Sequence, residues 1–495
     1  MAFASPGVQI KEVDLTATIN VSDQNIGVVS IASAKGPTDE VTYVSSEREL
    51  VDIFGEPSEY NYESWFAAAT IIQYGGIAAV IRPAGGEPGQ ANDLALRTAN
   101  VDSDGTTSTT LLINNQSDYE ETYGGVTSAF TFAGRYGGTF HNGITVSMID
   151  VGAHQQVTVT PAVGQTLTVD TVGAADASRT AGTYTIGASD YTAAGAGTGA
   201  TFSIVVDGSG AATVTVVSGG SGYAVDDTIT VADAQLGTGG GADLTFDIAT
   251  VGASLAAAGS YIKWVSGSNT YEGTVYSNNG SDSYDVTLWD TTKRLAASSV
   301  IQDHTGATIA TVSAITSNDL YSSKEYASGK KWVSIAPQPG TSPFVKSRGG
   351  KFDELHIVLV DTDGNVTGNP GTLIESFTYL SKASDAKSTE GDTKFWKKVL
   401  ELSSSFIYGG DRTLAQTSDI IAVDDSSNVA SATAIGGPSA NAVYPVFNNV
   451  ISKKLASGAD YNWAGAASSI QSQVEASYDL VLDPEEFADI DFLVP

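Results

Sequence analysis

The side chains able to do acid–base or metal chemistry are scattered along this 495-residue chain. Its four histidines, His141, His154, His304 and His356, lie in separate segments, and none has the H-x-x-x-H or Cys/His spacing that brings two ligands to one metal. They read as surface or strand residues. The run "DTDGN" beginning at Asp361 has the look of a calcium loop, but Gly364 comes too early for the loop's third ligand position, so a hairpin turn is expected. The Gly clusters "GAGTGA" and "GTGGGA" do not lie between a strand and a helix and are not followed by Lys-Ser/Thr, as a phosphate cradle requires. Carboxylate pairs that could serve a glycosidase occur at Asp226-Asp227, Asp424-Asp425 and Glu485-Glu486, but adjacent acids in turns are the ordinary form of a solvated face. There is no G-x-S-x-G elbow. No catalytic residue, metal ligand or cofactor-binding residue is assigned, and the chain is read as not an enzyme.

Composition narrows the partners. Lys plus Arg number 24 against 56 Asp plus Glu, a net charge of −32, which disfavours phosphate backbones and anionic membranes and points to protein surfaces. With no cysteine, folding cannot depend on redox state. No basic n-region with an apolar h-region opens the chain and no run of about 18 apolar residues occurs, so a soluble protein folded in a cytoplasm is expected. The 53 glycines and the abundant Ser and Thr suit turn-rich β structure.

The elements follow from periodicity. "SPGVQIKEVDL" starts with a Pro6-Gly7 turn signal, alternates at Val8 and Ile10, then slips phase to Val13 and Leu15, as a bulged strand does. Such a strand needs a sheet edge to join. "IGVVSIA" from Ile26 and "IAAVIRP" from Ile77 read as buried strands of an α/β sheet. Between them come two helices, one opened by a Ser46/Glu49 capping box and stopped at Gly55, the other ending at Gly75. From about residue 84 to 328 helical periodicity almost vanishes. Here "ATFSIVVDGSGAATVTVVSGGSGYAVDDTITV" gives three alternating strands, with turns at Asp207 to Gly210 and Gly219 to Gly222. A second meander is expected in "YIKWVSGSNTYEGTVYSNNGSDSYDVTLW". From Lys331 the α/β texture returns: "ELHIVLVDTDG" and "GTLIESFTYL" as paired strands, then a helix and strand in "TKFWKKVLELSSSFIYGG". The fold expected is α+β and multidomain: a discontinuous α/β core domain with inserted β-rich, sandwich- or barrel-like domains and an extended N-terminal arm. The boundaries expected are 1–22 for the arm, 23–90 and 329–495 for the two parts of the core, 91–150 for a β-rich lead-in, and 151–255 and 256–328 for two inserted β domains.

"SPGVQIKEVD", "GVVSIASAKGPTDEVTYVSSERELVDIFGEP" and "WFAAATIIQYGGIAAVIRP", in that order, resemble the N-terminal part of the tail sheath proteins of contractile-tailed bacteriophages. "RYGGTFHNGITVSM" is similar to the family's Gly-Asn segment before a strand, and "WVSIAPQPGTSPFVKSRGGKFDELHIVLVDTDG" to its T-even-like branch. The β modules of residues 152–328 are not covered. The resemblance implies a structural subunit that polymerises around an inner tail tube as stacked rings or a helix. Neighbouring subunits would be tied by extended arms adding strands to one another's sheets, and contraction would drive the tube through the host envelope for genome delivery. It further implies that Val8, Ile10, Val13 and Leu15 form a subunit-interface arm donated by β-augmentation. Implied partners are further copies of the chain, the tail tube protein, and baseplate and tail terminator proteins, with no nucleic acid and no membrane. The implied location is the virion tail, with the host cytoplasm during assembly. Family chains continue past the segment resembling "SYDLVLDPEEFADIDFLVP" into a tube-facing region with a second arm. The runner-up is another virion structural protein, of baseplate or decoration type, built with β-rich surface modules. A secreted polysaccharide-cleaving enzyme comes last, and a plain acidic binding protein explains the composition but not the arm.

Overall fold

The computed structural model describes residues 25–83, 96–124, 130–161, 166–237, 240–252, 256–279, 282–410, 420–421, 435–447, 450–461, 467–482 and 490–494. Near the start, Ile26–Ser30 pairs in parallel with Ile77–Ile81, and Val41–Val44 lines the far side of the latter antiparallel. Phe492–Val494, more than 460 residues away, completes the other side in parallel. Alternate residues of these strands serve opposite faces. Val29, Ala78 and Val80 meet Leu50, Phe54, Trp65 and Ala68 of the helices Glu47–Phe54 and Tyr62–Gln73. Val28, Ile77, Ala79 and Ile81 meet Tyr478 and Val481 at the end of the helix Ala467–Asp479. Burial on both faces is why the strands read as unbroken apolar runs. The cap on the first helix forms with one residue of offset. Ser46 Oγ accepts from Glu49 N at 3.2 Å, but the Glu49 carboxylate accepts from Ser45 N at 2.9 Å and not from Ser46. Gly55 closes the helix at φ 82°, donating to Val51 O.

Apart from Phe492–Val494, the later α/β segment does not extend this sheet. It builds a separate antiparallel one, ordered Thr372–Ser381, Glu354–Asp361, Ile144–Asp150, Ile451–Lys454. The expected pairing of "ELHIVLVDTDG" with "GTLIESFTYL" is its outer hairpin. Against it lies a three-stranded sheet of Thr98–Val101, Phe132–Gly137 and Ile407–Gly409, and the helix Trp396–Ser403 packs Trp396 and Leu400 into the shared core. Buried Arg82 ties the two sheet systems together, donating to the carbonyls of Ser33 (2.7 Å), Gly36 (2.6 Å) and Gly137 (2.8 Å).

The β-rich insertion is nested. Tyr261–Ser266, Asn269–Asn278 and Ser283–Leu288 form the expected meander, and Gln155–Pro161, Thr308–Ser317 and Val300–Gln302 close it into a six-stranded barrel. Residues 166–252 therefore leave from between two barrel strands. Where the sequence suggests two consecutive modules dividing near residue 255, Gln155–Pro161 belongs with the later strands. Its pairing spans more than 120 residues, and a period-two pattern carries no record of its partner.

Residues 166–252 form two facing sheets. Ala212–Ser221, Thr198–Val206 and Gly182–Ile186 make one; Tyr191–Ala193, Thr228–Val231, Leu244–Gly252 and Thr166–Asp170 make the other. The expected turn at Asp207 to Gly210 is present, with the Asp207 carboxylate accepting from Ser209 N and Ala211 N and Gly210 at φ 78°. The third strand of that run, Thr228–Val231, crosses to the opposite sheet instead of extending the hairpin. Phe202, Ile204, Ile229, Phe246 and Ile248 fill the space between the sheets; Val157, Trp264, Tyr284 and Ile301 fill the barrel.

Because each inserted unit has an apolar core of its own, replacing residues 155–317 with a short Gly/Ser linker is expected to leave a single cooperative thermal transition. Its persistence can be followed by calorimetry; a loss of cooperative unfolding would make the insertion part of the core.

Candidate assembly surface

The chemistry-bearing side chains are spent on structure. His141 is fully buried against Tyr136 and Phe140, where Gly134 leaves room for its ring. His154 Nδ1 accepts from Leu288 N at 3.0 Å. His356 Nδ1 accepts from Tyr379 N at 3.0 Å, which places its proton on Nε2, facing Pro337 O at 2.9 Å. His304 contributes a backbone carbonyl that accepts from Lys263 Nζ in an exposed turn. In "DTDGN" the Asp361 carboxylate accepts from the N–H groups of Gly364, Val366 and Thr367, while Asp363 pairs with Lys454 Nζ at 2.6 Å. The loop is an acid-organised hairpin turn. Asp227 caps Ala224 N at 2.8 Å; Asp424-Asp425 and Glu485-Glu486 lie outside the described residues. In "GAGTGA", Gly195 and Gly197 lie where a Cβ would strike Asp227 and Tyr223, a packing role. Among the described residues no group of three His, Cys, Asp or Glu is placed to hold a metal.

Exposed large apolar and aromatic side chains are most numerous on the small α/β unit. The arm residues Val8, Ile10, Val13 and Leu15 lie outside the described residues. The described edge strand Phe492–Val494 is joined to Ile26–Ser30 over three residue pairs, and its outer side meets no other strand among the described residues. Asp491 anchors it: its carboxylate accepts from Ile26 N at 2.8 Å, and its own N–H donates to Ile26 O at 3.0 Å. Gly27 lacks the Cβ that would collide with the Phe492 ring at 2.5 Å. Phe492 and Leu493 stay about half exposed, and an open, apolar edge is a template for a further strand. On the same unit, Tyr62 and Phe66 lie one turn apart on the outward side of their helix, with Tyr60 and Tyr74 also exposed. The four-residue spacing of Tyr62 and Phe66 was a sequence signal for one helix face, but nothing local says that this face points outward.

The second feature that sequence reasoning missed is at the root of the insertion. Asp150 ends the strand that leads into it, and Lys382 lies just past the Thr372–Ser381 strand; both are fully buried. Lys382 Nζ donates to Asp150 Oδ2 (2.7 Å), Phe352 O (2.9 Å) and Pro445 O (2.7 Å). Asp150 also accepts from Phe447 N at 2.9 Å and Gly152 N at 3.1 Å. Burial pushes the Asp150 carboxyl above the usual range, against the lowering effect of Lys382 and the N–H donors.

No family model matches the chain. Over 82 residues, 17% of its length, it is 32% identical to a tail sheath protein of Vibrio phage KVP40 and, over an equal length, 27% identical to the tail sheath protein of Enterobacteria phage T4. These stretches span 12% of each relative's length. The similarity supports a relationship to phage tail sheath proteins and a structural role in a phage.

The buried histidines make stability depend on pH. Burial lowers His141 to about 3, helped by the positive charges of Arg82, Lys35 and Arg135, and lowers His154 to about 4. On acidification the unfolded chain takes up these protons first, near its ordinary value of about 6.5, so the histidine contribution is full above that pH and is lost as pH falls toward the folded values. Urea denaturation between pH 7 and pH 4.5 is expected to show a steeper loss of stability for the wild type than for His141→Leu, by roughly 1–3 kcal/mol over that span. Parallel curves would mean that His141 takes up its proton over the same pH range in the fold as in the unfolded chain.

Proposed function

We propose that this chain is a structural subunit of a contractile phage tail sheath. In this reading it polymerises around the tail tube and contracts to drive the tube through the host envelope. The observation that carries the reading is the stretch similar to two tail sheath proteins. It is supported by the open, apolar edge strand Phe492–Val494. The chain then acts without substrate turnover. Its partners are copies of itself, the tail tube protein, and the baseplate and tail terminator proteins. It resides in the virion tail and assembles in the host cytoplasm. The N-terminal segment carrying Val8, Ile10, Val13 and Leu15 is the arm that adds a strand to a neighbour's sheet. The β-rich barrel and sandwich are outer modules of the same subunit.

The matched stretch leaves most of the chain without a counterpart, which favours one alternative: another virion structural protein carrying the same β-rich modules. Antibody labelling of the native particle in the electron microscope separates the two, because only a sheath subunit labels the whole length of a tail that shortens on triggering.

Two outcomes test assembly. Deleting residues 1–18 is expected to leave the folded body's thermal transition in place and abolish sheath-like polymers in electron micrographs; polymers at wild-type yield would remove the arm from the mechanism. With each copy at −32, stacking is opposed by like charge that salt screens over about 8 Å at physiological ionic strength. Light scattering should therefore show assembly strengthening from low to moderate salt. Weakening instead would mean that ion pairs between subunits dominate.

A further inference from the structure

We propose that Lys382 and Asp150 condense to an amide between Nζ and Cγ, a covalent tie between the root of the inserted barrel and the central sheet. The amine and the carboxyl are held together: Nζ lies 2.7 Å from Oδ2, with side-chain exposures of 0% and 1%. Held reactants gain an effective molarity of roughly 10⁵–10⁸ M when their geometry suits the reaction. In bulk water an amine and an acid ionise and do not couple. In this site the ions have lost that solvation, which narrows the gap between the ion pair and the neutral pair. The raised Asp150 carboxyl points the same way.

The step balances without an oxidant or a further reactant. One Nζ proton passes along the hydrogen bond to Oδ2, leaving an amine and a carboxylic acid. The amine lone pair attacks Cγ and forms the N–C bond, and charge builds on Oδ1, where Gly152 N donates at 3.1 Å. The Cγ–Oδ2 bond then breaks, and the departing hydroxyl takes a second Nζ proton to leave as water. Phe447 N, at 2.9 Å from Oδ2, steadies the leaving oxygen. A small cleft lined by Asp150, Gly152, Tyr276, Lys324, Gln338 and Phe447 adjoins Asp150. The remaining amide N–H keeps one of its present acceptors, Phe352 O or Pro445 O.

Mass spectrometry of the full-length protein, unfolded before measurement, tests this directly. The expected intact mass lies below that of the sequence by one water molecule. Tryptic digestion is expected to give a branched product joining residues 136–179 to residues 352–387, uncut at Lys382. Asp150→Ala is expected to restore the full mass and cleavage at Lys382, and because the reading is made on unfolded protein it holds even if that variant folds poorly. An intact mass equal to that of the sequence would overturn the proposal, as would a lost water mapping to any other residue pair.

Discussion

The inserted half of the molecule hangs from one buried contact, that of Lys382 with Asp150. Between Asp150 and the return of the chain to the central sheet lie a whole barrel and, nested within it, a whole sandwich. The strand that launches them is held at its last residue by Lys382. Removing two ions from water costs several kcal/mol each, so a buried pair is tolerable only when its remaining hydrogen-bonding capacity is filled. Here the ammonium has three acceptors, and both carboxylate oxygens have backbone donors as well. Those partners come from four chain segments, around residues 150, 352, 382 and 445–447. The site therefore fixes which segments meet. An apolar contact of equal area would fill the space without that selectivity.

The same device recurs at the other joint. Arg82 follows directly on the Ile77–Ile81 strand, and its guanidinium gathers two carbonyls from the loop between Ile26–Ser30 and Val41–Val44 and one from the Phe132–Gly137 strand. Desolvation lowers it only to about 10, so it remains charged at neutral pH. Elsewhere the acids and cations largely face solvent, and the exposed ion pair of Arg48 with Asp52 at 3.7 Å adds little to stability. Buried Arg82 and Lys382 do the specifying where separate chain segments meet, while buried Arg179 gathers carbonyls of Ala174, Gly210 and Ala242 within the sandwich.

What could be read from the chain was what its local residues decide. The Ser46 cap, the Gly55 stop, the Asp207 turn and the Glu354–Asp361 hairpin each depend on residues within about ten positions, and each was legible. What could not be read was set by distant partners. Phe492–Val494 is visible as a short apolar run, but nothing in it names Ile26–Ser30 as its neighbour. Gln155–Pro161 alternates as well for a sandwich as for a barrel, and Thr228–Val231 as well for one sheet as for the facing one. The histidines read as surface or strand residues; His356 lies in the strand Glu354–Asp361 and His304 in an exposed turn, but His141 and His154 are buried outside any strand. His141, His154 and His356 are buried because their aromatic or strand neighbours are, and a single polar residue in a Gly-rich run gives no sign of that. Lys382 and Asp150 were invisible for the same reason, being unremarkable charges until the fold puts them together.

The location of these joints bears on what the subunit can do. The barrel and sandwich each close their own apolar cores, while the joints between units combine a small apolar cluster, Tyr276 and Trp289 against Phe352, Val443 and Val446, with directional polar contacts. A polar contact with all partners filled tolerates little displacement, because moving any one partner exposes an unpaired charge to a low-dielectric interior. Units joined in this way move as one body until the joint fails. The Phe492–Val494 edge is the opposite case: three residue pairs, a half-exposed apolar strand, and backbone groups facing outward. Adding a strand there exchanges water for main-chain hydrogen bonds without disturbing either buried charge. For a subunit of the proposed kind, a rigid body with an adjustable edge lets neighbours slide and re-pair while each subunit keeps its internal geometry.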